Sequence, residues 1–225
     1  MVGGSEFGFL VAGEGKDSVP VLLLHAVGET SESWMHFLSR WGRRGGLAYA
    51  LDLRGHGRSV WSGPYGLETF ARDVLGFMDS MDLSVVDVVG HANGGLVGCL
   101  VAARAPERVR KLVLEDVGIP CPREPVVLEK PTVPLDFDWD MVARVRVQVD
   151  NPDSRWASWA ATIQADTLVV GGGPSSCVPQ EHVGEMAGTI PGAQLVTIAG
   201  GHTVHESRPE HFSVEVIAHL TAEAR

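Results

Sequence analysis

The stretch from Ser84 to Arg104, SVVDVVGHANGGLVGCLVAAR, constrains the fold more than any other. Ser84 to Val89 is rich in β-branched residues and reads as a strand, while Leu96 to Arg104 reads as a helix of small apolar residues, stopped by Pro106. Only Gly90 to Gly95 lies between them, a glycine-rich turn sharp enough that neighbouring backbone must pass very close. A strand turned at once into a buried helix is a unit of a parallel sheet covered by helices.

The same rhythm runs along the chain. Phe7 to Val11, Val19 to Leu24, Leu47 to Leu51, Lys111 to Glu115, Asp166 to Val170 and Gln194 to Ile198 read as strands. Val19 to Leu24 (VPVLLL) is a continuous apolar run of the kind buried on both faces of a sheet. Helices are predicted over Trp34 to Arg44, Leu67 to Met81, Glu181 to Ile190 and Pro209 to Leu220; in the second, Phe70, Val74, Phe77 and Met78 share one side. The expected class is α/β, with a mostly parallel central sheet and flanking helices. Residues 117–162 break the rhythm with Pro120, Pro122, Pro125, Pro131 and Pro134, an acidic-aromatic DFDWD and a weakly helical segment. They read as a short cap insertion between core segments 1–116 and 163–225. A chain of 225 residues suits one such domain.

Charge narrows the partners. The net charge is -10 and basic runs are absent, which argues against nucleic acid and against anionic membrane surfaces. Cys99, Cys121 and Cys177 are too few and too scattered for a disulfide framework, and no His or Cys set has the spacing of a metal site. No signal peptide is visible, and the apolar runs are shorter than the ~20 residues that span a bilayer. The expectation is a cytoplasmic protein with a small-molecule substrate, no cofactor and no metal; the oligomeric state stays open, a homodimer among the options.

Four segments, in order, carry a resemblance: LLLHAVGET, DLRGHGRS, VVGHANGG and GGHTVHESRPEHF. Together they resemble the α/β-hydrolase superfamily over about residues 7 to 221. DLRGHGRS fits that family's signature through Asp52, Arg54, Gly55, Gly57 and Ser59, with a structural role in which Arg54 bridges loop carbonyls and Asp52. VVGHANGG resembles the nucleophile elbow G-x-S-x-G, but Ala92 stands at the apex where the family has serine. A methyl group offers neither a lone pair nor a proton, so covalent acyl transfer from that position is ruled out. The absence of Asp there also excludes simple dehalogenase or epoxide-hydrolase mechanisms.

The resemblance implies further roles. The oxyanion donors would be the backbone N–H groups of Val27 and Asn93. Ala26 stands where the family has glycine and would be strained if that position needs positive φ. His25 is read as a structural histidine that hydrogen-bonds its loop, in preference to a catalytic one. His202 matches the general base, with His205 as the alternative. The family's usual acid position falls on Ser175, and residues 171–178 contain no carboxylate. Some members carry the acid one strand earlier, and register against Arg108-Val109-Arg110 then selects Asp116, with Glu115 as the alternative acid. Strand parity puts these two on opposite sides without saying which side faces the site.

The implied activity is hydrolysis of an ester, thioester or lactone of a small apolar molecule. On that reading Ala92 marks an inactivated variant of a serine-bearing parent. The alternatives are a natural non-hydrolytic member using His202 as base (a cyclase, lyase or oxygenase-like enzyme) or an inactive ligand-binding protein. Trp34, Trp61, Phe137, Trp139, Trp156 and Trp159 are available to line an apolar pocket, or else to pack the cap onto the core.

Overall fold

The computed structural model describes residues 4–15, 18–126 and 128–223. Seven strands form one sheet in the order β1-β3-β2-β4-β5-β6-β7: β1 (Phe9–Ala12), β2 (Val21–Leu24), β3 (Ala48–Leu51), β4 (Val86–His91), β5 (Val109–Glu115), β6 (Asp166–Gly171) and β7 (Gln194–Thr197). Only β1 is antiparallel to its neighbour, so the sheet is mostly parallel.

Period-two alternation divides the core. Leu22, Leu24, Val88, Leu112, Leu114 and Val169 enter one apolar layer, and Val21, Leu23, Val89, Val113, Leu168 and Val170 enter the other. The first layer is closed by α2 (Leu67–Ser80) and α3 (Asn93–Arg104), through Phe70, Val74, Phe77 and Val97. The second is closed by α1 (Met35–Gly42) and the last helix, through Phe37, Leu38, Phe212 and Val216. Burial on both faces is why the centres of these strands are apolar, with polar residues kept towards their ends.

Two elements begin earlier than the sequence pattern indicates. β5 starts at Val109, and α3 starts at Asn93, so Gly94 and Gly95, read as part of the turn, fall in the first turn of that helix. The helix can start there because glycine lets it lie against β2. A Cβ on Gly94 would sit 2.3 Å from the Leu24 carbonyl oxygen, and one on Gly90 would sit 2.6 Å from Gly95 backbone.

Residues 117–162 carry two helices of different kinds. α4 (Trp139–Asp150) is capped by Asp138, lies over the chain around Gly55, and buries Met141, Val142 and Val145. Tyr65 donates to Asp138 at 2.6 Å, which ties the helix down. α5 (Trp156–Ala161) packs against α3 and α6 (Gln180–Thr189) and joins the first core layer through Trp156, Ala160 and Ile163. The chain closes with α7 (Val204–Ser207) and α8 (Pro209–Thr221). Among the described residues no helix is long and apolar enough to cross a membrane.

Arg54 differs from expectation. It makes a two-pronged pair with Asp73 of α2, at 2.6 and 2.7 Å, and donates to the Ser62 carbonyl, rather than reaching Asp52. Asp52 instead accepts the backbone N–H groups of Ser31 and Arg58. The guanidinium fork matches the carboxylate it meets across α2, and Asp52 is already filled by amides.

Candidate active site

Strands β2, β4 and β5 end side by side, and the loops leaving them build the site. Ala92 follows β4 with φ 47 and ψ -114, a left-handed backbone that costs a residue with a Cβ about 1–2 kcal/mol. Its N–H bonds to the Glu115 carbonyl at 3.0 Å. Asn93 is the first residue of α3, where the backbone N–H has no intrahelical acceptor and the helix dipole is positive. Val27 follows β2, and Ala26, Val27, Ala92, Asn93, Asp116 and His202 line one cavity of about 540 Å³. Ala26 is not in the left-handed region, so the strain foreseen for it does not arise; the positive φ of that loop falls on Gly28.

His202 Nδ1 lies 2.7 Å from Asp116 Oδ2. Asp116 is buried and turned by φ 50, and its oxygens also accept from the Ser176 hydroxyl, Gln180 Nε2 at 3.0 Å and the Gly172 N–H at 2.9 Å. Burial alone would raise its pKa, but these bonds, led by His202, hold the carboxyl below its ordinary value. A carboxylate acceptor puts the His202 proton on Nδ1 and leaves the lone pair on Nε2. Ser175 contributes no acid, as its side chain requires; its loop runs beside Gly201.

Glu115 is directed the other way. It faces the α1/α8 layer, where both its oxygens meet His205 Nδ1, at 2.9 and 2.8 Å. The structure therefore brings Asp116 to His202 and Glu115 to His205. His25 donates Nδ1–H to the Ala26 carbonyl at 2.7 Å and accepts the Leu53 N–H on Nε2 at 3.0 Å, which keeps the ring neutral and buried within its loop.

Several members of the site carry no signal in the sequence. Ser176 comes from the segment that lacks acids and Gln180 from the start of α6 just after it, and a serine or glutamine there has no distinguishing spacing. His91 and Glu29 are the others. His91 Nδ1 faces Glu29 and Nε2 faces the His202 carbonyl at 2.9 Å, so both nitrogens donate and the ring is an imidazolium. Burial opposes that charge, but Glu115 and Glu29 outweigh it and push His91 up to about 9. Burial likewise opposes charge on Glu29, yet His91 draws it down to about 2.

The aromatic pocket is a correction. None of Trp34, Trp61, Phe137, Trp139, Trp156 or Trp159 lines the cavity, whose walls include Leu96, Val117, Ile119, Val142, Val145 and Val149 beside Arg123 and Arg146. Trp34 is wholly buried on the opposite face of the sheet, stacked on His205 at 4.3 Å. Trp156 and Trp159 pack edge-to-face, and Trp139 packs on the core. Trp61 donates to the Gly57 carbonyl near the surface. Phe137 lines a separate cleft with Gly28 and Glu29. Trp34, Trp139, Trp156 and Trp159 pack into the core layers, and aliphatic residues, mostly from the 117–162 segment, form the wall.

Comparison with known proteins agrees with this frame. A family model for the alpha/beta hydrolase fold matches residues 19–155. Epoxide hydrolase 4 of Mus musculus is 33% identical over 114 residues, 49% of this chain and 31% of that protein. Lipase LipV of Mycobacterium tuberculosis is 36% identical over 99 residues, 44% of this chain and 37% of that protein. The chain thus spans about a third of the length of the curated relatives it matches. Among solved structures, the enol-lactonase from Burkholderia xenovorans LB400 superposes with a TM-score of 0.83 at 20% identity, covering 98% of each chain. A meta-cleavage product hydrolase from Pseudomonas fluorescens IP01, solved as a serine-to-alanine mutant with acetates, gives 0.78 at 20% identity over 97% of this chain and 95% of that one. The sheet order, the strand-to-helix turn at Ala92 and the matched family segment together place the chain in the α/β hydrolase fold family.

Proposed function

We propose that the 540 Å³ cavity is the active-site frame of a hydrolase for an ester, thioester or lactone of a small apolar molecule, with Ala92 at the nucleophile position. The observation that carries the reading is the His202–Asp116 pair at 2.7 Å opening on the same cavity as Ala92. A serine at position 92 would attack the carbonyl carbon while His202 Nε2 takes its proton. Negative charge on the carbonyl oxygen would be met by the N–H groups of Val27 and Asn93, at the positive end of α3. His202 would then return the proton to the leaving oxygen or sulfur, and water activated by the same ring would release the acyl group. Asp116 holds the tautomer that this sequence of proton transfers needs. The chain with Ala92 binds in this frame and does not turn over, as an inactivated form of a serine-bearing parent.

The aliphatic wall supports an apolar acyl or alcohol group, and three free cysteines fit a reducing cytoplasm. Restoring the hydroxyl tests the proposal. The Ala92→Ser chain should hydrolyse short p-nitrophenyl esters or lactones at least ~10³-fold faster than the chain with Ala92, since loss of a triad serine costs on the order of 10⁶ in kcat. A folded Ala92→Ser chain inert on a wide ester, thioester and lactone panel would overturn it. The intact relay beside a residue without oxygen favours a second reading, in which His202 alone abstracts a proton; there His202→Ala abolishes turnover by the chain with Ala92 while ligand affinity is kept.

A further inference from the structure

Behind the cavity, three side chains that hydrolysis does not use converge. Glu29 comes from the loop after β2, His91 from the end of β4, and His205 from α7. One ligand atom from each lies within 4.8 Å of the others. The two rings are buried, and the Glu29 side chain keeps 20% of its surface exposed.

Each imidazole is fastened on one nitrogen and presents the other. His205 Nδ1 is held by Glu115, which leaves Nε2 buried with no hydrogen-bond partner. His91 Nε2 is held by the His202 carbonyl, which leaves Nδ1 against Glu29. A carboxylate on one histidine and a backbone carbonyl on the other are the outer partners that fix ring orientation in metal-ligating histidines. An orphaned nitrogen lone pair inside a core is otherwise a fault that folding selects against.

Glu29 also borders solvent-facing space. A second cleft, of about 450 Å³, is bordered by Glu29, Glu32, Asp136 and Glu206. Four carboxylates around one cleft concentrate cations there.

We propose that Glu29, His91 and His205 bind one divalent transition-metal ion of the zinc class, admitted through this acidic cleft. Two imidazole nitrogens and one carboxylate oxygen favour zinc, cobalt or nickel over magnesium or calcium, which take oxygen ligands. A tetrahedral ion with ligands at about 2.0–2.1 Å sets them about 3.3 Å apart, so no pair has to close by more than about 1.5 Å. The ion replaces the proton between His91 Nδ1 and Glu29, and that proton leaves to solvent. Water from the cleft completes the fourth position. Because His91 also holds the His202 carbonyl, occupancy stiffens the loop that carries His202. The site is independent of the hydrolytic reading.

The test uses the full chain stripped of metal by chelator dialysis, with Cys177→Ser to remove the exposed thiol. Zinc titration by calorimetry should give one ion per chain, and cobalt should give the visible spectrum of a four-coordinate site without thiolate bands. Glu29→Gln and His205→Gln should each weaken zinc at least tenfold and remove the rise in Tm that zinc produces, while magnesium has no effect on any form. Should His205→Gln not fold, Glu29→Gln decides, because its side chain is partly exposed. Zinc binding no tighter than about 1 mM, or binding that survives Glu29→Gln unchanged, would overturn the proposal and assign any uptake to surface histidines.

Discussion

On the proposed hydrolytic reading, Asp116→Asn separates the orienting role of this carboxylate from its charge, and its hydrogen bonds fix which way the new amide must turn. Asp116 Oδ1 accepts from the Gly172 N–H and from Gln180 Nε2, at 2.9 and 3.0 Å. Neither can become an acceptor cheaply. A backbone N–H cannot turn over, and Gln180 is locked because its Oε1 accepts the Gly173 N–H and its Nε2 also donates to the Val178 carbonyl. The Oδ2 side is softer: the Ser176 hydroxyl hydrogen can rotate away, and His202 can exchange tautomers. The amide nitrogen therefore takes the Oδ2 place and donates to His202 Nδ1, moving the ring proton to Nε2. That tautomer cannot accept a proton from a nucleophile. In an Ala92→Ser background the expected loss is about 10⁴-fold in kcat, the size seen when a triad aspartate is made an amide. Loss of the charge-assisted bonds should cost about 1–3 kcal/mol of stability at neutral pH. Nitrogen-15 shifts of the His202 ring read the tautomer directly, without substrate. A ring that keeps its proton on Nδ1 in Asp116→Asn, or a kcat within tenfold of the parent, would refute the argument. The stability gap also has a pH signature. Asp116 sits below its ordinary 3.8, so its contribution is complete above that value and is lost as pH falls through the depressed folded value; the two proteins should converge in stability in acid.

Gly94→Ala should destabilise by about 3 kcal/mol or more, because the new Cβ would meet the Leu24 and His25 carbonyl oxygens at 2.3 and 2.5 Å; a urea midpoint that implies under ~1 kcal/mol would show that α3 can shift away. His56 should make the fold acid-sensitive well above the carboxylate range. Its Nε2 accepts the Gly28 N–H, and burial, aided by neighbouring His25, pushes its pKa from 6.5 down to about 3. The unfolded chain therefore takes up the proton first as pH falls below 6.5, and His56 alone should remove about 2 kcal/mol between pH 7 and pH 5. Urea melts of His56→Gln should show a pH dependence smaller by that amount, and an identical slope would refute it.

The sheet was legible because double burial writes itself as unbroken apolar runs, and VPVLLL could scarcely be anything else. The start of α3 was not, since glycine-rich sequence signals a turn equally well whether or not a helix packs through it. Parity separated Asp116 from Glu115 but could not choose between the faces; that needed His202 and His205, 86 and 90 residues away. His91, Glu29 and Glu115 form a charge network across three strand ends, and nothing in the local pattern of any one of them announces the others. The aromatic residues misled for a related reason. Bulk and apolarity say that a side chain is covered, and Trp34 is covered by His205 on the far side of the sheet.

The strand ends also explain how the fold tolerates alanine at the turn. Ala92 and Asp116 each follow a strand, and both take a left-handed backbone, with φ 47 and 50. What holds them there is main chain. The Ala92 N–H bonds to the Glu115 carbonyl at 3.0 Å, the Asp116 N–H to the Val170 carbonyl at 2.7 Å, and Leu96 N–H returns to the Ala92 carbonyl at 3.1 Å. Gly90 and Gly94 supply the clearance. No bond in this set uses a side-chain atom at position 92, and alanine and serine face the same steric cost at positive φ. The strain of the turn is therefore borne by the strands around it, and the identity of the apex residue is free to vary without unfolding the chain. Ala92→Ser should accordingly shift stability by no more than about 0.5 kcal/mol in urea melts, even where it changes turnover by orders of magnitude. A loss of ~2 kcal/mol or more would mean that the methyl group itself packs the turn, and that the identity of residue 92 is part of the architecture.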